Sequence, residues 1–262
     1  MAQTSPTLNI MIAAARKAGK PLARDFGEVE NLQVSRKGPA DFVTSADIKA
    51  EKTLFEELSK ARPGYSFLME ERGAVEGTDK SHRWIVDPLD GTTNFLHGIP
   101  HFAISIGLER EGVLVAGVIY NVVRDELYWA EKGQGAYLND RRLRVAARGD
   151  LRDALFATGT PYLGKPGHDV FLGEVERVIA RTAGVRRFGA AALDLAYVAA
   201  GRFDGFWERG LSAWDIAAGA VLVREAGGFI SEIDGGDFMK TGAVVAANDR
   251  LIPQLTQTLR GS

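Results

Sequence analysis

The sequence has no cysteine among its 262 residues. That excludes disulfides, zinc–thiolate sites, iron–sulfur clusters and a cysteine nucleophile. Histidine is scarce as well, with four residues and no metalloprotease spacing or nucleophile partner; His97 and His101 are expected in loops or packing. Neither sign of charge dominates: 32 Lys and Arg face 34 Asp and Glu, for a net charge of −2. The basic stripe of a dedicated nucleic-acid binder is absent, so nucleic acid is not expected as the main partner. No apolar run approaches the ~18 residues needed to cross a bilayer, so no membrane partner is expected. The start, Met1-Ala-Gln-Thr-Ser-Pro6, lacks the basic-then-apolar run of a secretory signal. A cytoplasmic enzyme is the expectation. A Gly-x-x-x-x-Gly-Lys-Ser/Thr loop is also missing, which argues against a P-loop nucleotidase, and Gly133-Gln-Gly135 lacks the third glycine of a dinucleotide fingerprint.

With 45% hydrophobic and 25% charged residues, the chain can bury a sizeable core. Apolar periodicity predicts helices over Leu8–Phe26 and Asp47–Leu58, with Ser35–Ala40 between them as a turn or loop. Strands are expected at Tyr65–Met69, Trp84–Val86, Ala103–Leu108, Leu114–Tyr120 and Glu126–Ala130, paired antiparallel. After about residue 150 the pattern alternates: strands at 154–158, 185–188, 205–208 and 228–232, with helices at 169–182, 191–200 and 215–226 between them. Such alternation predicts a mixed α/β sheet. The expected fold class is therefore α/β: an N-terminal lobe (residues 1–150) of helices on an antiparallel sheet, and a C-terminal mixed lobe (151–262).

The chemistry concentrates in Trp84-Ile-Val-Asp87-Pro88-Leu89-Asp90-Gly91-Thr92-Thr-Asn-Phe95. An apolar strand runs into Asp87, Pro88 is expected to stop it, and Asp90 follows on a tight turn before a helix start. Ionised carboxylates at the end of a buried strand are costly unless neutralised. A hard cation such as Mg²⁺ does so, taking carboxylate oxygens and a main-chain carbonyl, for which Leu89 is suitably placed. The amides after Gly91 can approach a phosphate. A second strand, Ser66-Phe-Leu-Met-Glu70-Glu71, also ends in acid, and only one of the two glutamates can face a shared site. In Ala213-Trp-Asp215-Ile216, Asp215 stands at a helix start, where capping alone would explain it.

Glu70-Glu71, the Asp87–Thr92 block and Trp214-Asp215 resemble, in type and order, the signatures of the inositol monophosphatase family. The resemblance continues in Asp41–Asp47, Gly189–Gly201 and Trp207-Glu208 and spans about Asp41 to Asn248. It implies a layered αβαβα sandwich and a homodimer. Further implications are Mg²⁺ as cofactor, with two or three ions per site, lithium sensitivity, and a phosphorylated polyol or sugar as substrate. By resemblance, Glu70, Asp87 and the Leu89 carbonyl hold one ion, and Asp87, Asp90 and Asp215 a second. Thr92, oriented by Asp47, helps Glu70 deprotonate the attacking water. Gly91 and Thr92 amides grip the phosphate, while Ala191, Glu208 and Asp215 meet substrate hydroxyls. Position 190 departs from the pattern, carrying alanine where many relatives carry serine or threonine. The Arg36-Lys37-Gly38 stretch aligns only approximately with a mobile, lysine-bearing loop. The favoured activity is Mg²⁺-dependent hydrolysis of inositol monophosphate. Alternatives are the same mechanism on fructose 1,6-bisphosphate, histidinol phosphate, NADP or adenosine 3′,5′-bisphosphate, or a regulatory, protein- or RNA-associated role alongside catalysis.

Overall fold

The computed structural model describes residues 4–28, 34–38 and 41–261. Helix α1 (Pro6–Phe26) starts at Ser5, whose Oγ accepts the Leu8 N–H at 3.1 Å, and buries Leu8, Met11, Ala15, Ala18 and Leu22. Strands β1 (Val34–Gly38) and β2 (Asp41–Thr44) pair antiparallel. The loop expected over Ser35–Ala40 is thus strand as far as Gly38, with residues 39 and 40 outside those described. Cross-strand pairing overrides the local turn composition there. Helix α2 (Ser45–Ala61) follows, then β3 (Tyr65–Met69), β4 (Gly73–Val75) and the long β5 (Asp79–Asp90). A short helix α3 (Thr92–Leu96) leads to β6 (Ala103–Arg110), β7 (Val113–Asn121), β8 (Glu126–Glu131), β9 (Gly135–Leu138) and β10 (Arg141–Arg142). Beyond residue 150 come β11 (Leu155–Thr158), α4 (His168–Ile179), β12 (Gly184–Arg186), α5 (Ala191–Ala199) and β13 (Gly205–Glu208). The chain ends with α6 (Ala213–Glu225), β14 (Phe229–Glu232), α7 (Phe238–Thr241), β15 (Val244–Ala247) and α8 (Leu251–Arg260).

Eight strands form one sheet in the order β10-β9-β8-β7-β6-β5-β3-β4. It is mixed rather than wholly antiparallel, because β3 and β5 run parallel with Met69 beside Val86. That register matters: the acids following these two residues, Glu70 and Asp87, emerge at the same end of the sheet. Strand β5 also does not stop at Pro88. Asp87 lies opposite Ser105 and Asp90 opposite Ala103, so β5 uses one more residue than β6 over this step. The bulge accommodates a proline that has no N–H to give the ladder, and it re-aims the carboxylates on either side. The second sheet has the order β12-β11-β13-β15-β14, with parallel pairs at β11 and antiparallel pairs at β15.

Five layers result, αβαβα. Helices α1 and α2 cover one face of the large sheet, α5 and α6 lie between the sheets, and α4 and α8 cover the far face of the small sheet. Three buried clusters fill the gaps; the central one runs from Ile85 to Ala246 and includes nearly all of α5. Helix α6 lies unusually close to the large sheet. A Cβ on Gly107 would come within 2.7 Å of Ala217 Cβ, and one on Gly117 within 2.5 Å of the Ala218 carbonyl oxygen. Two glycines on adjacent strands therefore fix the height of the helix that begins with Asp215.

Candidate active site

Two acids three residues apart on β5 converge with a third from more than a hundred residues away. Asp87, Asp90 and Asp215 each offer one carboxylate oxygen within 4.8 Å of the others. Asp87 and Asp90 are brought there by the β5 bulge, and Asp215 by the first turn of α6. Glu70 stands beside them at the end of β3, close enough that its charge disfavours ionisation of both Asp87 and Asp90.

Each acid is tied to main chain. Asp87 Oδ1 accepts the Leu89 N–H at 2.9 Å, Asp90 Oδ2 accepts the Ala192 N–H at 2.9 Å, and Asp215 Oδ2 accepts the Ser212 N–H at 2.7 Å. The bond from Ala192 explains a departure in the sequence. Ala190 is the N-cap of α5 and its side chain caps nothing. Asp90, from another sheet layer, takes over by satisfying a free amide of the first turn. Asp90 thus caps a helix, but that helix is α5 and not α3, which follows it in the chain.

Thr92 and Asp47 form the second part of the site. The Thr92 hydroxyl lies 3.2 Å from Asp47 Oδ1 and 3.0 Å from the Leu89 carbonyl oxygen. Asp47 Oδ2 is engaged by both the N–H and the hydroxyl of Thr44, a capping box that opens α2. The remaining oxygen is therefore the one left to orient Thr92. Gly91 sits between, at φ +92°, where a Cβ would come 3.0 Å from the His101 carbonyl oxygen. Only glycine fits this left-handed, crowded turn without strain. Ala191 begins α5, and Glu208 ends β13 with its carboxylate packed against Gly159, where a Cβ would displace it.

Burial and mutual repulsion dominate the electrostatics. Asp87 is raised well above the usual carboxylate range by burial and then by the charges of Glu70, Asp90 and Asp215. Burial, followed by Asp215, pushes Asp90 up to about 8, and burial raises Asp215 to about 6 against the pull of the Ser212 N–H. Glu208 is pushed up to about 8 by burial and the nearby Asp215 and Asp90, with Arg187 acting the other way. Asp47 is also raised, chiefly by burial. Asp87, Asp90 and Asp215 form no salt bridge among the described residues, and such crowded hard oxygens fit a hard divalent cation, which would relieve both burial and repulsion.

Three neighbouring residues carry no role in the sequence reading. Asn94 Nδ2 donates to the carbonyls of His101 and Phe188, both at 2.8 Å, and so holds the segment entering α5. Asp194, on α5, is 1% exposed with neither carboxylate oxygen hydrogen-bonded. An acid within Ala-Ala-Leu-Asp-Leu-Ala was the available signal. The third, Glu51, pins the turn after Glu70. The side chains of Arg36 and Lys37 lie outside the described residues. His101 packs against Phe188 and Tyr197, as a packing histidine should.

The inositol monophosphatase family profile matches residues 3–262. An inositol-1-monophosphatase of Mesorhizobium japonicum is 67% identical over 246 residues, covering 94% of this chain and 92% of its own. The Nus factor SuhB of Escherichia coli is 45% identical over 256 residues, covering 97% and 96%. Among solved structures, the extragenic suppressor protein suhB of Bartonella henselae superposes with a TM-score of 0.95 at 58% identity, covering 98% and 99%. Fold, acidic cage and sequence agree along essentially the whole length: the chain belongs to the inositol monophosphatase family, a family of phosphatases.

Proposed function

We propose that the protein hydrolyses inositol monophosphate to inositol and phosphate with Mg²⁺ as cofactor. The observation that carries this reading is the gathering of Asp87, Asp90 and Asp215 oxygens within 4.8 Å, beside Glu70, at buried helix and strand ends. Glu70, Asp87 and the Leu89 carbonyl would hold one ion, and Asp87, Asp90 and Asp215 a second, with Glu70 available to a third. When bound, such cations neutralise the phosphate's charge and acidify a water molecule. Thr92, oriented by Asp47, holds that water, and Glu70 takes its proton. Gly91 and Thr92 amides grip the phosphate, while the Ala191 backbone, Glu208 and Asp215 bind ring hydroxyls. Phosphoryl transfer asks mostly for positioning and charge neutralisation, so no covalent enzyme intermediate is needed. Residues 1–150 and 151–262 act as two lobes of one unit, the first supplying most ligands and the second Asp215 and the substrate contacts.

A phosphate-release screen tests the substrate. Inositol 1-phosphate is expected to give the highest kcat/KM among inositol, fructose, histidinol and nucleotide esters, only with Mg²⁺ and with inhibition by Li⁺. A preference for another ester moves the assignment within the same mechanism; turnover undiminished by EDTA removes the mechanism itself.

The protein works in the cytoplasm as a homodimer on this reading. No helix of the described residues is long and apolar enough to cross a membrane. A cavity of about 700 Å³ lined by Ile99, His101, Arg124, Arg187 and Phe188 supports pairing, because Ile99 and Phe188 leave 47% and 38% of their surface in water. Sedimentation at micromolar concentration should give twice the mass of one chain, and a monomer there would end that part of the reading. A second, protein- or RNA-associated role is favoured by the relatives named Nus factor SuhB. Partners retained by an Asp90→Asn protein in a pull-down would separate that role from catalysis.

A further inference from the structure

Helix α2 carries a second buried carboxylate one turn beyond Asp47. Glu51 is 4% exposed, and its Oε2 accepts the main-chain N–H of Glu71 at 2.8 Å and that of Arg72 at 3.3 Å. Those amides belong to the turn that follows Glu70 directly. On its other side Glu70 is tied to the sheet, its own N–H donating to the Val86 carbonyl at 3.3 Å, one residue before Asp87. Arg72 closes the same contact: its Nε lies 3.8 Å from Glu51 Oε1 and its guanidinium sits 4.3 Å from the centre of the Phe55 ring. The turn from β3 into β4 is thus clamped to α2 through residues 51 and 55, which share one face of the helix.

A turn at a sheet edge ordinarily takes water on its free amides. Here a desolvated carboxylate replaces that water, and hydrogen bonds to a charged acceptor are the strong ones. The carboxylate comes from the helix whose first turn already orients Thr92 through Asp47. Residues four apart on one helix therefore hold the two groups assigned to the attacking water.

We propose that Glu51 is a positioning residue: by anchoring the amides of Glu71 and Arg72 it fixes the Glu70 carboxylate relative to Asp87 and Thr92, so that α2 sets the spacing of the water-handling groups. This rests on reading Glu70 as a cation ligand, and the test separates the two.

Glu51→Gln keeps an acceptor oxygen, whereas Glu51→Met keeps the volume and removes it. Amide hydrogen exchange at Glu71 and Arg72 and Mn²⁺ affinity by electron paramagnetic resonance are measured on both, beside kcat and KM. In the methionine variant, exchange should quicken by about tenfold or more. Its Mn²⁺ affinity should fall by about 10- to 100-fold, the usual cost of losing a residue that orients a ligand. The glutamine variant, which keeps an acceptor but loses the charge, should fall between wild type and the methionine variant in both. If Glu51→Met does not fold, Glu51→Asp carries the same test, since it keeps the charge but withdraws it from the turn. Unchanged exchange, or faster exchange with unaltered Mn²⁺ affinity, overturns the proposal. Wild-type protein that binds no Mn²⁺ overturns instead the reading of Glu70 as a ligand.

Discussion

Replacing Asp90 with asparagine is expected to lower kcat by on the order of 10³-fold, about 4 kcal/mol of transition-state stabilisation, while in EDTA the protein melts no earlier than wild type. The two halves of this expectation come from two contacts of one side chain. Asp90 contributes charge to the acidic cage, and it also caps α5 through the Ala192 N–H. An asparagine oxygen can still accept that N–H, so the start of α5 keeps its partner. The charge is what disappears, and with it the relief of cation and phosphate that the cage provides. In EDTA the variant should melt later than wild type, since one of several repelling buried acids has been made neutral. Phosphate release and thermal melting, measured on the same preparation, check both halves. Turnover close to wild type would remove Asp90 from the chemistry.

The second large effect concerns pH. In EDTA the melting temperature should fall as pH rises from 5 to 8, and the gain from added Mg²⁺ should widen over the same range. Asp87, Asp90, Asp215, Glu208 and Asp194 all have folded-state pKa values above their ordinary ones of 3.8 for Asp and 4.5 for Glu, burial being the largest cause in each. An acid raised in the folded state binds its proton more tightly there than in the unfolded chain. Its contribution to stability is therefore complete below the ordinary value and lost as pH climbs through the folded one. For this chain the loss passes about 6 for Asp215 and about 8 for Asp90 and Glu208. The acids held below their ordinary range, such as Asp79 and Asp150, change charge at lower pH and do not disturb this window. Cations favour the ionised cage, so their effect should grow as the cage ionises. For a chain of this size each kcal/mol moves the melting temperature by about 2–4 °C, and a widening of several degrees is expected. A gain from Mg²⁺ that is the same at pH 5 and pH 8 would place the cation elsewhere.

Much of the cage was legible because its determinants are local. An apolar strand that ends in an acid, twice, and an acid at the head of a buried helix are patterns readable within a dozen residues. The five-layer fold rested on the family resemblance and on the change of periodicity near residue 150. What escaped was long-range. Nothing near Asp90 says that it caps a helix about a hundred residues away, and nothing near Asn94 says that it reaches the distant Phe188 carbonyl. Glu51 reads as one more polar residue on an amphipathic helix until the β3 turn is packed against it. Pro88 reads as a strand end in the sequence alone because the bulge that tolerates it is a property of the paired strand, not of the proline. The direction of β3 relative to β5 is similarly invisible in either strand alone.

Asp47, Asp90 and Asp215 tie the acidic site to the first turns of α2, α5 and α6, and so to two different helix layers and the sheet between them. No catalytic module can be cut out of such an arrangement. Scission near residue 150 would leave both fragments inert until they re-associated, and mild denaturant should extinguish activity and dissolve the fold in a single step.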